Sequence, residues 1–381
     1  MAEWSHLPID LLREIQTHLI SPFYTVRFRS ICSTWRNSVQ SNGHNQSTSP
    51  IPHLFSKRFI LLLSPPPTLN STKPNSWIIK IEEINPQSFN LFYPLSKTRV
   101  NPGLNRFPRV LNILNTRINE LGLEFSYHGS DILGDCSLYT EKVAFLPAKN
   151  GDVNNFLFLT IHVSGKLAIF DDVSMQWNLV DHFQSPYDDV ISFNGDFYAV
   201  DNLGRTVVLS VNELDSNNCD VSVVAQPVCG GDKKRLVEMC GELMLVDVYI
   251  GFPPFLGDND EDEEDGCNVV VLDEFIVSRS MWFKVFRLDR ELMRWVEVKH
   301  LGNNVLFLGI NSAFSASADD LYWDRGNCIC FNFPGLFLPS IGDEDDEVVK
   351  YHCGGVYNLE DSSISFAKVF WPPPSWVTSS S

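Results

Sequence analysis

The sequence predicts a mainly β chain, a β-propeller of about six to seven blades behind a short unit of three helices. Three observations carry that prediction. From about residue 55 onward, short runs rich in Val, Ile, Phe, Tyr and Trp alternate with Gly, Asn and Asp, and long helical periodicity is absent. A weak internal repeat runs through this region: "VSGKLAIFDD" from Val163, "FNGDFYAVDN" from Phe193, "MCGELMLVDV" from Met239 and "SADDLYWDRG" from Ser317. Each reads as a turn, then an apolar strand ending near an aspartate. A second echo pairs "SMQWNLV" with "LMRWVEV", placing Trp177 and Trp295 at corresponding positions. The Gly195 and Gly241 turns are separated by about one blade, which suits stacked four-stranded sheets. The closer Gly165 turn belongs to a different strand pair. A pair of stacked sheets also contains Gly-turn hairpins, but chain length and the tryptophan echo favour the propeller.

The N-terminal unit, residues 1–40, begins with a greasy helix. Leu11, Leu12, Ile15 and Leu19 share one face, while Asp10, Arg13, Glu14 and Thr17 point away. Pro8 suits a first helical position, where its missing N–H costs nothing, and Asp10 lies in the positive first turn. Ser21-Pro22 stops this helix and starts the next. There Tyr24, Phe28 and Ile31 recur at helical spacing, and Trp35 extends the stripe. About 40 residues bury too little surface to be stable alone. A polar, Ser- and Pro-containing stretch follows, and residues 41–54 are predicted to be a linker. A greasy helical unit on a linker is best explained as half of an interface.

Composition bounds the function. The chain has 381 residues, 44% of them hydrophobic, and a formal net charge of −18. That charge argues against general affinity for nucleic acid or anionic membrane, both of which need clustered Lys and Arg. No basic region precedes an apolar core at the front, and the run from Phe59 to Leu63 is too short to span a bilayer. The expected location is therefore nuclear or cytoplasmic. Nine scattered cysteines fit a reducing compartment. Cys328 and Cys330 have no partner pair at zinc-finger spacing, so neither metal nor cofactor is expected.

"LPIDLLREIQTHL" followed by "VRFRSICSTWRNSV" resembles the F-box, the module through which substrate receptors dock on the Skp-family adaptor of SCF-type cullin-RING ubiquitin ligases. The resemblance rests on Leu7-Pro8, Asp10-Leu11-Leu12, Glu14-Ile15, Leu19, Phe28-Arg29-Ser30, Cys32 and Trp35-Arg36. It implies an adaptor-binding set of Leu7, Pro8, Leu11, Leu12, Ile15, Leu19, Phe28, Ile31 and Trp35. One departure is visible: relatives often carry an acidic residue where this chain has Tyr24, so the capping box begun by Ser21 is lost.

Most of residues 75–376 carry a second resemblance, from which residues 51–75 depart, and it sets the propeller domain at 55–376. "YDDVISFNGDFYAVDNLGRTVVLSV", "CGGDKKRLVEMCGELMLVD", "FKVFRLDRELMRWVEVKHLGNNVLFLGINSAFSASA", "GNCICFNF" and the closing "FWPPPSW" are similar to the kelch-like, KIB-type β-propeller of plant F-box proteins. The resemblance implies a substrate receptor that binds a protein target, whose identity it leaves open.

Catalytic signatures are absent. There is no Gly-x-Ser-x-Gly elbow, and Gly165-Lys166 lacks the flanking residues of a phosphate-binding loop. His162 and Ser164 share a face without an evident carboxylate, and His352-Cys353 are strand neighbours that point apart. The acidic run at 257–266 fails the EF-hand pattern, because a loop starting at Asp258 has Glu263 sixth and Val269 twelfth, and one starting at Glu261 has Gly266 sixth but Leu272 twelfth. With a second run at 342–347, it reads as a solvated insertion. The expected protein is a non-catalytic ligase subunit, with a ligase-independent propeller scaffold as the competing class.

Overall fold

The computed structural model describes residues 4, 7–17, 22–38, 54–65, 76–85, 88–100, 116–127, 142–147, 156–171, 176–180, 186–211, 219–228, 230–251, 280–333, 354–367, 370, 374 and 376. Residues 41–53 of the predicted linker, Leu19 and both acidic runs lie outside the described residues. Three helices come first: α1 (Ile9–Thr17), α2 (Pro22–Ser30) and α3 (Ser33–Ser38). Strands follow in five groups. Blade 1 is β1 (Phe55–Ser64), β2 (Trp77–Asn85), β3 (Ser88–Phe92) and β4 (Arg117–Tyr127), ordered β3-β2-β1-β4. Blade 2 is β5 (Lys142–Pro147), β6 (Phe156–Ile161), β7 (Leu167–Asp171) and β8 (Gln176–Val180). Two residue pairs, Phe125↔Val143 and Ser126↔Lys142, stitch these blades into one sheet.

Blade 3 is β9 (Tyr187–Phe193), β10 (Asp196–Asp201), β11 (Thr206–Val211) and β12 (Cys219–Ala225). Blade 4 is β13 (Lys233–Met239), β14 (Glu242–Gly251), β15 (Ser280–Asp289) and β16 (Arg294–Val298). Blade 5 is β17 (Asn304–Leu308), β18 (Ala313–Ser317), β19 (Cys328–Phe331), β20 (Gly354–Asn358) and β21 (Ile364–Ala367), with the short helix α4 (Ala318–Leu321) after β18. The innermost strands β4, β5, β9, β13 and β18 stand side by side around a closed ring.

Packing shows the same closure. Each blade buries both faces against its neighbours: Phe125 of blade 1 meets Phe158 of blade 2, and Ile161 of blade 2 packs with Phe197 of blade 3. Tyr198 of blade 3 shares a cluster with Leu245 of blade 4, Phe283 of blade 4 with Phe331 of blade 5, and Phe307 of blade 5 with Ile60 of blade 1. Among the described residues the ring therefore has five blades, fewer than the predicted six to seven. Length is taken up inside blades instead. β1, β4, β14 and β15 run to 10 or 11 residues, and the long stretches after β14 and after β19 return to a neighbouring strand of the same sheet.

The repeated turns fall where their spacing placed them. Asn194-Gly195 joins β9 to β10 and Cys240-Gly241 joins β13 to β14, the same connection in consecutive blades. Both residues of each turn have positive φ, as a two-residue hairpin of matching twist requires. Gly165 joins β6 to β7, a different strand pair. The fourth echo is a correction: after Ser317 the chain forms α4 rather than a tight turn. Ser317 Oγ caps that helix by accepting the Asp319 N–H at 3.2 Å. Strand β19 then runs parallel to β17, so blade 5 is not a simple meander.

The C-terminal residues close the ring on blade 1. Trp77 Nε1 donates to the Phe370 carbonyl at 2.9 Å, Phe370 is buried between blades 5 and 1, and Trp376 packs against the Phe59–Leu61–Trp77 cluster.

Innermost strands of neighbouring blades are joined by carboxylates rather than by a full ladder. Asp188 accepts the Lys234 N–H at 2.9 Å and pairs with Lys233 at 2.9 Å. Asp189 accepts the Leu236 N–H at 2.8 Å and pairs with Lys142 of β5 at 2.5 Å, so one side chain ties three blades together. Burial pulls Lys142 below the usual lysine range, with Asp189 opposing the shift. Lys80 and Arg58 share Glu124 in the same manner within blade 1, each at 2.9 Å.

Candidate functional site

The helical unit builds a small core from one residue of each helix. Leu12, Phe28 and Trp35 are 0%, 5% and 8% exposed, with Leu7 and Cys32 packed against them. The Phe28 and Trp35 rings lie 4.5 Å apart, and Trp35 Nε1 donates to the Trp4 carbonyl at 3.0 Å. This arrangement sorts the predicted set. Leu12, Phe28 and Trp35 face inward and hold the three helices together. Leu11, Ile15 and Ile31 face solvent, at 52%, 37% and 55% exposure, and Pro8 is exposed beside them. Leu7 is half-buried at the edge of the core. Ile9, an apolar residue that the sequence reading missed, is also exposed, on a different side of α1 from Leu11.

The unit is held to the propeller directly, beyond any linker. The Tyr24 hydroxyl donates to the Ile118 carbonyl at 3.4 Å and accepts the Glu120 N–H at 3.3 Å. One turn on, Arg27 Nη2 donates to the Thr116 carbonyl. Residues 116, 118 and 120 alternate along an extended strand, so these backbone groups all point to one edge of β4. Tyr24 and Arg27 therefore reach from α2 to one edge of the innermost strand of blade 1.

Elsewhere the chemistry is structural. His162 Nδ1 accepts the Ser164 N–H at 3.2 Å and lies 2.8 Å from its hydroxyl, so the histidine caps its own turn. Among the described residues no group of three or more His, Cys, Asp or Glu side chains could hold a metal ion. A cleft of about 360 Å³ opens between the turns of blades 3 and 4. It is lined by Phe193, Asn194, Glu242, Arg287, Asp289 and Arg290, with Arg287 paired to Glu242 at 2.8 Å. No helix among the described residues is long and apolar enough to cross a membrane.

The KIB1-4 β-propeller profile matches residues 55–358, the span from β1 to the end of β20. The chain belongs to the KIB1-4 β-propeller family. Its relatives include the F-box protein SKIP23 of Arabidopsis thaliana, 39% identical over 404 residues, covering 100% of this chain and 96% of that protein. The F-box protein At2g17036, also from Arabidopsis thaliana, is 32% identical over 403 residues with the same coverage. Both relatives are named F-box proteins, and both alignments cover all of this chain, the N-terminal helices included.

Proposed function

We propose that this KIB1-4 family protein is the substrate-recognition subunit of an SCF-type ubiquitin ligase. The F-box docks on a Skp-family adaptor, which links it to a cullin-RING ligase, and the propeller holds a protein target. One observation carries this reading: Ile9, Leu11, Ile15 and Ile31 remain exposed after the helices have built their own core from Leu12, Phe28 and Trp35. An apolar face left over from folding is the expected form of a binding surface. The mechanism is proximity, since a tethered target presents its lysines to the charged conjugating enzyme at high effective concentration. No step on the propeller itself is chemical, and the site of action is nuclear or cytoplasmic.

The test separates the two faces of α1. Replacing Leu11 and Ile15 together with alanine is expected to abolish co-purification with the adaptor, since truncated interface anchors commonly cost ~2 kcal/mol or more each. The thermal midpoint of the propeller should stay unchanged. Leu12→Ala, by contrast, should unfold the helical unit itself. Wild-type adaptor recovery with the Leu11/Ile15 double variant contradicts the reading.

A further inference from the structure

The two ends of the propeller channel are not equivalent. Lys142, Asp188, Asp189 and Lys233 lie near the starts of β5, β9 and β13, and Lys142 with Asp189 and Lys233 with Asp188 pair across blades. The antiparallel pairing of Ser126 with Lys142 puts the C-terminal end of β4 at that same mouth. Thr116, Ile118 and Glu120 therefore belong to the opposite mouth, at the start of β4. Helix α2 is seated there.

The seat is polar and specific. Tyr24 meets a carbonyl and an N–H two residues apart on one strand edge, and Arg27 takes the next carbonyl along. Both side chains are only half-exposed. These two side chains bond three backbone groups on one edge of that strand. Tyr24 is also the position at which this sequence departs from the usual F-box pattern. A tyrosine in place of a short acid gives up a local cap and gains reach to the neighbouring strand.

We propose that Tyr24 and Arg27 are positioning residues that lock the F-box to blade 1 as one rigid body, fixing the direction in which a bound target faces the ligase. This role rests on the ligase reading above. Transfer between two sites held on one scaffold depends on their relative geometry, so a loosened seat lowers productive encounters without weakening either binding event.

The experiment uses the full chain with spin labels introduced as unnatural residues at Thr34 of α3 and Glu291 of blade 4, both exposed. The wild-type distance distribution should be single and narrow. Tyr24→Phe combined with Arg27→Gln should broaden it at least about two-fold, with the thermal midpoint of the propeller unchanged, because each lost hydrogen bond is a small part of the total. Ubiquitin transfer to a bound target should then fall about ten-fold while the affinities for adaptor and target are retained. A broad wild-type distribution, or an unaltered narrow one in the double variant, overturns the lock. Broadening with unchanged transfer overturns the positioning role and leaves the F-box reading intact. Failure of the wild-type protein to bind the adaptor sinks the ligase reading while the distance result stands by itself.

Discussion

Asp189→Ala is expected to destabilise the propeller by ~3–5 kcal/mol, the usual result of removing one member of a buried ion pair. Asp189 is 1% exposed and serves four donors. It accepts the N–H groups of Val190 at 2.9 Å and Leu236 at 2.8 Å, pairs with Lys142 at 2.5 Å, and lies 3.8 Å from Arg235. Its loss leaves the Leu236 N–H buried without a partner and leaves two cations facing each other. Arg235 already acts to lower the Lys142 pKa, so the mutant strengthens a repulsion present in the wild type. Asp189→Asn should cost less than alanine, since an amide oxygen can still accept one N–H. Urea unfolding checks this as a lowered midpoint at constant slope. A loss below ~1 kcal/mol would show that the carboxylate is not what joins blades 2, 3 and 4.

The second large effect is at Trp295. This indole is 7% exposed between blades 3 and 4, and its Nε1 donates to the Gly204 carbonyl at 3.1 Å and lies 3.2 Å from Thr206 Oγ1. Trp295→Ala should cost ~3–5 kcal/mol, because neighbouring sheets cannot collapse into the space. Trp177 occupies the corresponding strand of blade 2, yet its surroundings differ. It is only partly buried against Phe55, Tyr127 and Phe170, and its Nε1 has no hydrogen-bond partner among the described residues. Trp177→Ala should therefore be the milder substitution by at least ~1 kcal/mol. Equal losses at the two positions would contradict this account of the indole N–H.

What the sequence showed depended on whether a local rule decided the outcome. Asn194-Gly195 and Cys240-Gly241 were legible because a two-residue hairpin demands positive φ, which glycine adopts freely. The tryptophan echo was legible because both residues sit on the fourth strand of a blade. Leu11 and Leu12 could not be told apart, since both are apolar and adjacent, and only the placement of Phe28 and Trp35 decides which turns inward. The blade count failed because a connection inside a blade looks the same in sequence as one between blades. Tyr24 stood out as a departure from the F-box pattern, but its partners are backbone groups of β4, which no side-chain pattern reports.

The tail seen closing on blade 1 has a consequence for how the protein is made. The ribosome delivers β1 and β2 early, yet lasting cover for Phe59, Leu61 and Trp77 includes Trp376, which follows all 21 described strands. Contacts of such sequence separation form late and slowly. Through most of synthesis the first blade must wait with apolar surface uncovered, available to chaperones. A stop codon at Phe370 would therefore injure the first blade translated and not merely the last.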